Sequence, residues 1–152
     1  MISELGDNQV LIISASAWAI TQILKVLVIL VQEKRIAWNY FVTSGGMPSS
    51  HSATVCALAT SIAMTAGVGS IYFSIAAVLA VIVMYDAAGV RQSVGQQSAL
   101  LNRLVREFRT KTTLQDWEKD LREFIGHTPF QVFVGAVLGI LIAWLWIVIS
   151  NL

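Results

Sequence analysis

Two histidines, His51 and His127, are the only ones in the chain, and the only two prolines, Pro48 and Pro129, lie within three residues of them. Each histidine sits in a segment built to start a helix. In GGMPSSHSA, Gly45 and Gly46 allow a tight approach, Pro48 suits a first helical turn, and Ser49, Ser50 and Ser52 surround His51 with hydroxyls. In GHTPFQV, Gly126 ends what precedes, Thr128 can cap the next helix and Pro129 opens it. Helix N-termini present backbone N–H groups and partial positive charge, so such starts suit an anion, phosphate above all. Arg91, in YDAAGVRQSVGQQ, and Lys25, inside an apolar run, add two cations. Two histidines without clustered carboxylates give too few ligands for zinc, so no metal is expected.

Each of these residues also has a plainer role. Lys25 could snorkel to the headgroups, Arg91 could anchor a helix end, and either histidine could be a polar cap. Their collection at one face favours a phosphate-handling site. For that they must be carried by elements that end together.

Those elements are membrane spans. Hydrophobic residues make up 56% of the chain and charged residues 12%, and the mean hydropathy is +0.70, far beyond an ordinary water-soluble domain. The first residues, MISELGDNQ, carry acids rather than the basic start of a secretory signal, so the hydrophobicity belongs to the fold. Cys56, the single cysteine, excludes an intrachain disulfide and reads as packing. No basic run interleaved with aromatics suggests nucleic acid.

A helix needs roughly 20 mostly apolar residues to cross the hydrocarbon. The pattern predicts spans at 10–31, 49–66, 71–88 and 129–149, with a turn at Gly67, Gly69 and Ser70, and a second turn bracketed by Asp86, Gly89 and Gly95. The expected fold is therefore an all-α integral membrane protein: a single domain forming a four-span helix bundle. Lys34 and Arg35 follow the first span, and seven further basic residues, from Arg91 to Arg122, lie between the third and fourth. The positive-inside rule puts both loops in the cytoplasm and both termini on the other side. Between the last two spans, 98–125 reads as a cytoplasmic amphipathic segment. One helix is expected over Ser98–Arg109, and another from Thr113 with Leu114, Trp117, Leu121, Phe124 and Ile125 on its apolar face.

With these residues in view, the chain resembles a known superfamily. PSSHSA (48–53) looks like the PSGH element of the type 2 phosphatidic acid phosphatase and vanadium haloperoxidase superfamily, and GHTPFQVFVGAVLG (126–139) looks like its histidine element. The ordered set GGMPSSHSA, DAAGVRQ with Gly95 and Asn102, then GHTPFQV resembles the divergent branch, small bacterial and plant membrane proteins, over nearly the whole chain.

The resemblance implies roles. His127 would be the nucleophile that forms a phosphohistidine. His51 would protonate the leaving alkoxide, a task suited to histidine because its ordinary pKa lies near neutrality. Arg91 and Lys25 would bind phosphate oxygens, with Ser50 adding hydrogen bonds. The chain departs from the superfamily pattern in three places. Gln131 stands where an aspartate normally orients the nucleophilic histidine, with Asp86 or Glu123 as candidate substitutes. The interval from Arg91 to His127 is long, with Val90 in place of the usual serine. The first element lacks its arginine-proline ending.

The expected function is a metal-independent, cofactor-free membrane phosphatase acting on a lipid phosphate or pyrophosphate, or on another phosphomonoester, at a cytoplasm-facing site of a bacterial plasma membrane or an organelle membrane. Membrane lipids are the expected partners, and assembly into a homo-oligomer is left open. The alternatives are an inactive relative that binds or carries an anionic lipid, favoured by Gln131, and a small membrane scaffold.

Overall fold

The computed structural model describes residues 8–33, 46–109 and 127–150, and every regular element among them is helical. Helix α1 is Gln9–Glu33, α2 is Ser50–Ala66 and α3 is Ile71–Tyr85. A π-helical stretch, Asp86–Val90, leads without interruption into α4, Arg91–Arg109, and α5 is Pro129–Ser150. Among the described residues, three stretches are long and apolar enough to cross a membrane, namely Gln9–Val31, Ile71–Val105 and Pro129–Ser150. Helix α2, with 17 residues, extends about 25 Å at the helical rise.

The local chemistry of the ends explains where the helices begin. Ser49 caps α2, its side chain accepting the Ser52 N–H at 3.4 Å, and this puts Pro48 just before the cap rather than in the first turn. Gly67, at φ +84°, closes α2, and Ser70 caps α3 by accepting the Phe73 N–H at 3.1 Å. Thr128 caps α5, its Oγ1 accepting the Gln131 N–H at 3.3 Å.

One expectation is overturned. Asp86, Gly89 and Gly95 do not bracket a turn: the backbone stays helical from Ile71 to Arg109. The glycines and polar residues that suggested a break are absorbed by a single π-helical widening, which lets the chain keep its direction while shifting its hydrogen-bond register. The expected helix over Ser98–Arg109 thus forms the end of α4, and the amphipathic segment beyond it, with Thr113 and Ile125, lies outside the described residues.

Helices α1, α2 and α5 pack on one another, with α2 between the other two and α3. Helices α2 and α5 run parallel and approach closely. A Cβ added at Gly135 would meet the backbone carbonyl of Ser49, and one at Gly139 that of Ala53. Without a hydrophobic force between helices in lipid, small residues that let backbones meet are what hold such a pair. Ile13, Ala17, Ala57, Ala143 and Ile147 form the apolar core in one half of the bundle. Most of the buried polar residues, Thr21, Gln22, Lys25, Ser49, Ser50, Ser52 and His127 among them, lie toward the other end, the one that carries the histidines.

Candidate functional site

Helix α1 presents a polar stripe to the interior. Ser14, Thr21, Gln22 and Lys25 are all buried, Lys25 completely, and Ser14, Thr21 and Lys25, seven and four residues apart, fall on one helix face. The hydroxyls of Ser14 and Thr21 are satisfied locally, donating to the carbonyls of Val10 at 2.7 Å and Ala17 at 2.5 Å. Lys25 lies against the chain leading into α2: a Cβ at Gly46 would sit 3.4 Å from its Cδ. Gly46 has φ +92°, so the segment that covers the lysine stem takes a conformation natural to glycine.

The start of α2 is a buried cluster of hydroxyls. Ser49, Ser50 and Ser52 are all at most 1% exposed, and the Ser52 hydroxyl donates to the Ser49 hydroxyl at 3.0 Å. His51 follows Ser50 in the first turn and is half-buried. The Ser49 N–H donates to the Gln131 carbonyl at 3.3 Å, which ties the start of α2 to the first turn of α5.

His127, 2% exposed, is held from two sides. Its backbone N–H donates to the Ala87 carbonyl at 3.0 Å, so the π-helical stretch supplies the acceptor that fixes the residue before α5. Its Nδ1 lies 3.3 Å from the Gln131 side-chain oxygen Oε1. That same oxygen accepts the Thr128 N–H at 3.0 Å.

Four segments are therefore joined at one end of the bundle: Lys25 with Gly46, the α2 start with Gln131, Gln131 with His127, and His127 with Ala87. Asp86 precedes Ala87 and opens the π-helical stretch, its own N–H directed to the carbonyls of Ile82 and Val83. Arg91 begins α4 directly after that stretch; its side chain, together with Glu123, Lys34 and Arg35, lies outside the described residues. Asn102 is buried on α4, 3% exposed. The segments so joined carry the serine hydroxyls of the α2 start, the backbone amides of two helix starts, the buried Lys25 and the His127 imidazole, groups of a kind that suits an oxyanion.

Three contributors were not read from the sequence. The Ala87 carbonyl is one, because a backbone acceptor has no residue-type signal. The glycine pair Gly135 and Gly139 is another, although its four-residue spacing within an apolar helix is a close-packing signature. The third is the reciprocal bonding of Thr128 and Gln131, which the T-x-x-Q spacing at a helix start encodes.

Comparison with known proteins gives the chain a family. The uncharacterized membrane protein YuiD of Bacillus subtilis (strain 168) is 38% identical over 148 residues, covering 91% of this chain and 94% of that protein. No solved structure matches. The family described as the divergent PAP2 family matches residues 6–142, a range that takes in every segment of the cluster, and this apolar helical membrane protein belongs to it.

Proposed function

We propose that this protein is a membrane phosphatase that cleaves a lipid phosphate or pyrophosphate, without a metal ion, at the cytoplasmic end of a four-span bundle. The observation that carries the proposal is the placement of His127: buried, fixed by Ala87 and Gln131, and joined through Gln131 to the hydroxyl-lined start of α2. Two parallel helices begin side by side there. Their N-termini would add to the attraction that Lys25 exerts on a phosphate.

In this mechanism Nε2 of His127 attacks phosphorus as the P–O bond to the alcohol breaks. His51 gives a proton to the departing oxygen, and phosphohistidine remains. Water then attacks phosphorus, a proton returns to His51, and inorganic phosphate leaves with His127 restored. Ser50 and Arg91 would hold the phosphoryl oxygens. A lipid substrate fits the packing, because α3 packs chiefly on α2 and leaves its large apolar side chains exposed, a surface suited to an acyl chain. The short α2 completes the fourth span, shielded on three sides by α1, α3 and α5.

Purified protein in mixed micelles should release phosphate from a lipid phosphate in the presence of a chelator, and His127→Ala should lower that rate by at least about 10³-fold while the protein remains folded. Wild-type release no faster than that of the variant would leave anionic-lipid binding, the reading favoured by an amide at position 131, as the function. The topology is checked by labelling cysteines introduced at Lys119 and Gly67 in sealed vesicles. The two should react from opposite sides, and reaction from the same side would remove the proposed orientation.

A further inference from the structure

Gln131 does more than occupy the position of an absent carboxylate. A backbone N–H can only donate, so the Thr128 N–H, 3.0 Å from the side chain of Gln131, requires the amide oxygen rather than the nitrogen to face it. The Thr128 hydroxyl in turn accepts the Gln131 N–H at 3.3 Å, and this reciprocal pair holds the side chain in place. The oxygen so oriented is the atom 3.3 Å from His127 Nδ1. An oxygen without a hydrogen can only accept, and the contact therefore requires the hydrogen on Nδ1.

We propose that Gln131 is a positioning residue that uses the α5 helix cap to lock His127 as the Nδ1–H tautomer, directing the lone pair of Nε2 away from the cap. The backbone bond from His127 to Ala87 at 3.0 Å fixes the main chain, and the burial of the ring opposes a turn about Cβ–Cγ that would put Cδ2 in the place of Nδ1 against the Gln131 oxygen. A carboxylate at this position would also select Nδ1–H, but its charge would favour the doubly protonated imidazolium. The neutral amide selects the tautomer without that bias. The ring thus keeps the form in which Nε2 can attack or accept.

That His127 is the reacting group rests on the phosphatase proposal, whereas the tautomer is measured independently of activity. Protein labelled with ¹⁵N-histidine, in detergent micelles at pH 8, gives ring nitrogen shifts that distinguish N–H from bare nitrogen, and a His51→Gln variant assigns the two histidines. Wild-type His127 should show a protonated Nδ1 and a bare Nε2. Gln131→Met, similar in size, should lose this preference, and Gln131→Glu should restore it while raising the titration midpoint of His127 by about one unit or more. If the phosphatase proposal also holds, Gln131→Met should lower kcat by on the order of 10²–10⁴ with little change in KM. A wild-type His127 protonated on Nε2, or a Gln131→Met ring indistinguishable from wild type, would overturn the lock. A wild-type protein with the predicted tautomer and no phosphatase activity would instead remove the mechanism and leave the lock standing.

Discussion

Helices α3 and α5 are both apolar over most of their length, yet they are used in opposite ways. Helix α5 buries Val132, Gly135, Gly139, Ala143 and Ile147 at intervals of three and four, and two of these are glycines whose backbone meets that of α2. Helix α3 buries only Ala76 and Ala80 and leaves Ile71, Tyr72, Ile75, Val81 and Ile82 more than half exposed. Hydrophobicity does not separate the two, since lipid solvates either one. What separates them is the presence of glycines four residues apart. Where backbones touch, two helix starts are brought into register, and the candidate site lies at that end. Where only alanines are buried, the helix offers its large side chains to the surroundings.

Gly139→Leu should have the largest effect, because the new side chain would have to occupy the space of the Ala53 carbonyl. Overpacking of this kind costs about 1–3 kcal/mol or more. Thermal unfolding in detergent should show the loss, along with a drop in phosphate release as the α2 and α5 starts are forced apart. Val78→Leu, on the exposed face of α3 (59% exposed), should stay within about 0.5 kcal/mol of wild type. Equal losses in the two variants would mean that the α2–α5 contact is no more specific than the α3 surface.

A smaller loss is expected at Gly46, the residue that covers Lys25. Alanine there would keep φ +92° only at a cost of about 1–2 kcal/mol, and its Cβ would touch the lysine stem. The expected result is a modest drop in stability with a clear rise in KM for the lipid phosphate as Lys25 shifts. An unchanged KM would place Lys25 outside phosphate binding.

Much of this architecture was legible in the sequence because it is locally encoded. Thr128 and Pro129 announce the start of α5, Gly67 and Ser70 the hairpin between α2 and α3, and the apolar runs the helices themselves. Gln131 was legible as a departure from a family pattern. Its bonding to Thr128 was written in the T-x-x-Q spacing, but its contact with His127 depends on the path of the chain just before the helix. The continuation through 86–95 was not legible. Asp86, Gly89 and Gly95 have turn chemistry, and the π-helical stretch is joined to His127, 40 residues away from Ala87 in sequence, by a backbone bond that no residue type signals.

Gly89 offers the finest test of that difference. As a turn glycine it would be needed for its freedom, and alanine would be costly. In the helical path its φ is not positive and a Cβ would meet nothing within 4 Å. Glycine within a helix is instead a weakness of roughly 0.5–1 kcal/mol relative to alanine. Gly89→Ala should therefore leave unfolding unchanged or shift it upward by a few tenths of a kcal/mol, with phosphate release intact because the Ala87 carbonyl stays where it is. A loss of more than about 1 kcal/mol, beyond what an unstrained surface change produces, would show that the backbone at Gly89 needs a conformation closed to alanine. The join between the π-helical stretch and His127 would then have to be rebuilt around a true turn.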